Sequence, residues 1–127
     1  MIVLDACVLA AFADPEHQHH QSARSIMART DPFVISALTG AEVMVPNSNF
    51  KPRPEFWSAL FAGFGVKVIS LTKADMSELA TLRASSRLKM PDAVVLHTAI
   101  TSGAAIATFD LALTKAAATH TVAVVDH

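Results

Sequence analysis

The sequence predicts an α/β fold built on a parallel sheet covered on both faces. Short apolar runs at Met1–Leu4, Phe33–Ile35 and Ala104–Ala107 are continuous rather than alternating in polarity, as strands buried on both faces are. The segments between them carry helical apolar spacing, so strands and helices alternate along the chain. Of 127 residues, 52% are hydrophobic and only 17% charged, which is enough apolar material for one core without metal or disulfide staples. With no linker, internal repeat or low-complexity tract, residues 1–127 read as one domain.

Each element follows from local chemistry. After the first strand, Val8, Leu9 and Phe12 mark a helix that Asp14-Pro15 ends. His17–Arg29 reads as a second helix, apolar at Ala23, Ile26 and Met27. Asp31-Pro32 turns the chain into the second strand, and Ser36–Val45 reads as a helix despite Gly40. Pro46–Pro54 is a loop rich in Pro and Asn. Phe56, Trp57, Leu60 and Phe61 belong to a short aromatic helix ended by Gly63 and Gly65, and Val66–Ile69 is a third strand. Thr72–Arg87 is an amphipathic helix, with Thr72 and Asp75 spaced as a capping box and Met76, Leu79, Ala80 and Leu82 on its apolar side. Pro91 opens a helix that Gly103 stops, Asp110–Ala118 is the last helix, and Thr121–Val125 a fifth strand.

Several function classes are excluded by composition. Cys7 is a lone cysteine, so no internal disulfide or cysteine-rich zinc site is expected, and its apolar neighbours make it a small core residue. The apolar N-terminus lacks a basic region and is interrupted by Asp5, unlike a secretory signal. No stretch has the length of a membrane span, so a cytoplasmic location is the expectation. A formal net charge of −1 argues against extensive duplex binding but allows contact with a few nucleotides.

Chemistry is signalled by where the acids fall. Seven of the eleven flank prolines, start or line amphipathic helices, or lie at the terminus, and read as solvated surface. The other four are isolated. Asp5 is the only charge from Met1 to Ala13, Glu42 the only one from Phe33 to Phe50, and Asp92 and Asp110 the only ones from Met90 to Thr114. A carboxylate in an apolar segment is costly unless compensated. Asp5, Asp92 and Asp110 each sit where a helix cap or dipole would welcome an acid. Glu42 lies inside a helix among Leu38, Ala41, Val43 and Met44, with no basic residue within a turn or two.

Topology makes the four converge. Right-handed crossovers put every helix N-terminus at the edge where the strands end, the usual ligand edge of such sheets. Asp5 and Asp110 leave the first and fourth strands there, Asp92 opens the helix feeding the fourth, and Glu42 lies in the first two turns after the second. With strand order 3-2-1-4-5 they share one pocket. Clustered carboxylates repel unless protonated or bridged by a cation, and a hard divalent ion, Mg²⁺ or Mn²⁺, suits an all-oxygen set. Such a centre performs phosphoryl-transfer chemistry, with a remaining carboxylate as general base.

These residues resemble the PIN domain, and more narrowly the VapC-type toxins of bacterial toxin–antitoxin pairs. Ile2-Val3-Leu4-Asp5, Ser36–Val45 containing Glu42, Met90-Pro91-Asp92-Ala93 with His97-Thr98-Ala99, and Ala107-Thr108-Phe109-Asp110 resemble the family's four acidic motifs in order and spacing. The resemblance implies a PIN-like three-layer sandwich with a five-stranded parallel sheet, Mg²⁺-dependent RNA cleavage, a homodimer and a cognate antitoxin. It carries over to Asp5, Glu42, Asp92 and Asp110 as catalytic acids, with Asp5, Asp92 and Asp110 as metal ligands and Thr108 supporting the last acid. Two positions depart from the pattern: Ala6 stands where Ser or Thr is common, and Leu113 where some members carry a further acid.

Other residues fit secondary roles. Lys89, near Asp92, and Arg87, Lys51 and Arg53 are candidates for RNA phosphates, or plain surface charge. His97 is expected in the core, and Glu16–His20 is expected to be a solvated helix start rather than a metal site. A receiver domain is a rival α/β unit with an acidic Mg²⁺ pocket, but Ile69-Ser70-Leu71-Thr72 lacks its phospho-accepting Asp, and no Lys follows the last strand. A catalytically silent PIN-like module that binds RNA or protein, and a PIN nuclease of RNA processing, share the same motifs.

Overall fold

Strand β1 (Ile2–Leu4) is apolar at every position and buried at every position, as a central strand must be. β2 (Phe33–Ser36) and β4 (Ala105–Ala107) flank it, and β3 (Lys67–Ile69) lies outside β2, giving a parallel sheet of order β3-β2-β1-β4. Ile2 pairs with Phe33 on one side and Ala105 on the other, and Leu4 with Ala107. The computed structural model describes residues 1–47 and 50–127. Ser48 and Asn49, part of the expected Pro46–Pro54 loop, lie outside the described residues.

Alternation along the strands divides the core. Ile2, Leu4, Phe33 and Ile35 face α1 (Ala6–Ala13), α2 (His20–Met27), α3 (Ala37–Met44) and α4 (Pro54–Gly63), meeting Val8, Leu9, Ile26 and Trp57. Val3, Val34 and Ile106 face the opposite layer of α5 (Met76–Ser86), α6 (Met90–Ser102) and α7 (Leu111–Thr119), meeting Leu82, Leu96 and Leu113. Three layers result. Among the described residues no helix is long and apolar enough to cross a membrane.

The sheet has four strands, not the expected five in order 3-2-1-4-5. The terminal segment lies beside β4 but makes a single parallel bridge, Ile106 with Val124. The reason is the shortness of β4. In a parallel ladder successive residues turn their backbone groups to opposite sides, and Ala105 and Ala107 spend theirs on β1 through Met1 O (3.1 Å) and Asp5 N (3.0 Å). Ile106 alone faces outward, bonding Ala123 O and Val125 N at 2.9 and 2.8 Å.

Two helix starts also shift. α2 begins at His20 rather than His17, because the His17 ring Nδ1 accepts the His19 N–H at 3.0 Å and offers the backbone an alternative to helix. The expected Thr72–Arg87 helix opens as a 3₁₀ turn, Lys73–Asp75, before α5. Its capping box forms, with the Thr72 N–H on Asp75 Oδ2 at 2.7 Å, but Met76 points to solvent. Asp75 also reaches the buried His97 Nε2 at 2.9 Å, and that bond with the Thr72 amide holds its carboxyl below the usual range. α5 ends at Arg87, held in the left-handed region at φ 60°. For a residue with a Cβ that conformation costs about 1–2 kcal/mol.

Trp57, 2% exposed, buries an indole N–H with no acceptor among the described residues. Because an unpaired buried donor costs about 1–3 kcal/mol, Trp57→Phe sheds a penalty as it loses ring volume. Thermal denaturation is expected to place Trp57→Phe within about 1 kcal/mol of wild type, and Trp57→Ala about 3–5 kcal/mol below it.

Candidate active site

All four isolated acids stand at the C-terminal edge of the sheet. Asp5 follows β1 directly, and its Oδ1 accepts the Ala6 N–H at 2.8 Å, starting α1. Asp110 lies three residues after the end of β4 and starts α7, its Oδ1 accepting the Leu113 N–H at 2.9 Å. Ser36, the last residue of β2, accepts the Thr39 N–H at 3.1 Å, so α3 begins at the strand's end and carries Glu42 on its second turn. Asp92 lies in the first turn of α6, whose start at Met90 tolerates Pro91.

Two of the carboxylates register the charge of the others. Glu42 is pushed up by burial and then by the charges of Asp5 and Asp92. Asp92 is pushed up by burial and by Asp5 and Asp110, and drawn down by Lys89. Lys89, the exposed residue before α6, is a cation whose charge reaches Asp92. Among the described residues no three Asp, Glu, His or Cys side chains are gathered closely enough to hold one ion as they stand.

Asp5 is the most constrained of the four, 6% exposed. Its Oδ2 accepts the Thr108 hydroxyl at 2.6 Å and the Cys7 thiol at 3.2 Å. The same Thr108 oxygen accepts the Asp110 N–H at 3.0 Å, so one hydroxyl ties the first acid to the backbone of the last. Register dictates this: Leu4 pairs with Ala107, which sets Asp5 against Thr108. The support that the motif suggested for Asp110 reaches it through its amide, and reaches Asp5 through its carboxylate.

Cys7 was read from sequence only as a core residue, yet it takes part in this network. Its sulfur accepts the Phe109 N–H at 3.4 Å. Burial, and then the neighbouring Asp5 charge, push the thiol up to about 12, so it stays protonated and serves as a donor to Asp5 rather than as a nucleophile. The spacing Asp-x-Cys carried that signal, because a side chain two residues past an N-cap can turn back on it. Beside Glu42 a cavity of about 230 Å³ is lined by Ala6, Cys7, Val43, Phe50, Pro52 and Trp57, among others.

The donor set is uniformly carboxylate. It carries surplus negative charge, its members raise the proton affinity of Glu42 and Asp92, and the nearby side-chain cation is exposed. That chemistry fits a hard divalent ion and no softer one.

Comparison with known proteins agrees with the architecture. The family model described as the PIN domain matches residues 2–118. A toxin–antitoxin complex from Klebsiella pneumoniae is 22% identical, covering 99% of this chain and 97% of its own, with a TM-score of 0.69. VapC20 of Mycobacterium tuberculosis, described as a sarcin–ricin-loop-cleaving toxin, is 18% identical over 91% of this chain and 95% of its own, with a TM-score of 0.77. FitAcB from Neisseria gonorrhoeae is 20% identical over 99% and 97%, with a TM-score of 0.65. No curated protein sequence matches. At these identities the solved structures speak for the fold alone.

Proposed function

Because the chain belongs to the PIN-domain family, we propose that it is a Mg²⁺- or Mn²⁺-dependent ribonuclease, the toxin of a type II toxin–antitoxin pair. The observation that carries this reading is that Asp5, Glu42, Asp92 and Asp110 all sit at the starts or in the opening turns of helices along one edge of the sheet, where the Thr108 hydroxyl ties the Asp5 carboxylate to the Asp110 backbone. In the proposed mechanism Asp5, Asp92 and Asp110 would hold the ion, which would supply polarisation of the scissile phosphate and charge stabilisation at the leaving oxygen. Glu42, whose proton affinity lies above that of an ordinary glutamate, takes the proton from the attacking water. Thr108 and Cys7 fix Asp5, and Lys89 meets the substrate phosphate.

The neighbours supply the biological context of the proposal. One is described as a sarcin–ricin-loop-cleaving toxin and another as a toxin–antitoxin complex, and we propose for this chain an RNA substrate and an antitoxin partner. We further propose residues 1–127 as one PIN-like domain, acting in the cytoplasm as a homodimer.

The test is metal dependence. The purified protein is expected to cleave single-stranded RNA with Mg²⁺ or Mn²⁺, and to lose that activity on chelation and regain it on re-addition. Full cleavage in excess chelator would overturn the metal, and no cleavage with either ion would overturn the nuclease in favour of a binding module.

A further inference from the structure

On the α5–α7 side of the molecule a cleft of about 510 Å³ opens between the end of α5 and the flank of α7. Its floor is small and apolar, with Leu88, Ala112 and Ala116, and its charged rim is Arg87 and Lys115 beside His120. No Asp or Glu lines it, and among the described residues neither Arg87 nor Lys115 makes an ion pair. In a chain with 10 Lys and Arg against 11 Asp and Glu, a cavity with cations and no acids is a departure from the average surface.

The hydroxyls in the cleft do not contribute donors. Ser85 and Ser86 give theirs to Leu82 O, and Thr119 to Lys115 O. His120 Nδ1 donates to Ala116 O at 2.9 Å, which fixes the ring. Recognition here is therefore electrostatic, from a guanidinium and an ammonium over an apolar floor, rather than a polar cage for one small molecule. Arg87 carries a second signal. Its backbone is left-handed at φ 60°, where glycine would be unstrained, yet the position bears a long cation.

The cleft also leads to the acids. Leu88 in its floor lies two residues before α6, whose first turn carries Asp92. Ala112 in its floor lies two residues after Asp110. We propose that this cleft is the track for the phosphodiester backbone of a single-stranded RNA running away from the acidic edge, with Arg87 and Lys115 each pairing one phosphate. The proposal rests on the ribonuclease reading and deepens it by giving the substrate a path.

The test measures binding without cleavage. A fluorescein-labelled single-stranded RNA is titrated in EDTA against wild type and against the double variant Arg87→Asn, Lys115→Gln, with fluorescence anisotropy at several salt concentrations. Asn is chosen because it tolerates the left-handed backbone. The Kd of the variant is expected to rise on the order of tenfold, and its salt slope to become shallower by about 1.4, or 0.7 for each lost single-strand phosphate contact. A control with the same charge change outside the cleft, Arg24→Gln with Lys67→Gln, is expected to keep the wild-type slope. No RNA binding by wild type, an unchanged slope in the cleft variant, or an equal loss in the control would each overturn the track. Because the assay contains no metal, a protein that binds through the cleft but never cleaves RNA would defeat the nuclease reading and leave the track standing.

Discussion

Replacing Asp92 with Asn is expected to lower RNA cleavage by about a thousandfold or more while leaving the protein at least as heat-stable as wild type. The two effects share one cause. Asp92 is held among like charges, so its carboxylate is costly to the fold, and on the proposed mechanism the same carboxylate binds the cation. Asn keeps the shape and removes the charge. The stability gain is at most about 1 kcal/mol, since the group is partly solvated and screened.

The pH dependence fixes the sign. A carboxyl whose folded pKa is raised binds its proton more tightly when folded. It contributes no penalty below its unfolded value, near 3.8 for Asp92 and 4.5 for Glu42. As pH rises from there through the folded value, stability falls, and above it the penalty is complete. Wild type should therefore lose stability across the weakly acidic range more steeply than Asp92→Asn. Mg²⁺ or Mn²⁺ should raise the melting temperature of wild type and not of the variant, because only a ligand of the native state stabilises it. Wild-type cleavage by Asp92→Asn would remove Asp92 from the site, and a large drop in melting temperature would make its role structural.

Thr108→Val is expected to damage stability and activity together. Thr108 is 1% exposed, donates to Asp5 and accepts from the Asp110 amide. Valine fills the same space but leaves a buried carboxylate oxygen short of a donor and a backbone N–H without its acceptor. Those losses come to about 2–4 kcal/mol. For a chain of this length that lowers the melting temperature by roughly 8–15 °C. With Asp5 free to turn, cleavage should fall by about ten- to a hundredfold, as when an outer partner of a ligand is lost. Thr108→Ser restores the hydroxyl and should recover most of both. Thermal denaturation alongside RNA cleavage checks the pair, and Thr108→Val with unimpaired cleavage would show that Asp5 needs no such anchor.

Burial and topology were legible because they follow from composition along the chain. Ile2–Leu4, Phe33–Ile35 and Ala105–Ala107 have no polar face, so their central place was fixed by the hydrophobic effect alone. Placing Asp5, Glu42, Asp92 and Asp110 at one edge needed only the handedness of crossovers. What sequence did not reveal depends on local competition and register. The fifth strand shrank to one bridge because β4 has a single outward residue, a matter of hydrogen-bond phase invisible in the apolar run Ala104–Ala107. Asp75 read as plain surface because its partner His97 lies 22 residues on, across two packed helices. Cys7 read as filler because its bonds to Asp5 and Phe109 exist only once two strands align.

Asp5 and Asp110 are each the first knot of a helix, α1 and α7, whereas Glu42 and Asp92 tie no helix and oppose their neighbours' charge. Substitution therefore acts differently on the two pairs. Removing either knot costs a helix its start along with a carboxylate, whereas removing Glu42 or Asp92 takes away charge and leaves the ends of α1 and α7 fastened. On the proposed mechanism, positions 42 and 92 are thus where chemistry and architecture can be separated by experiment, and positions 5 and 110 are where the two are welded together.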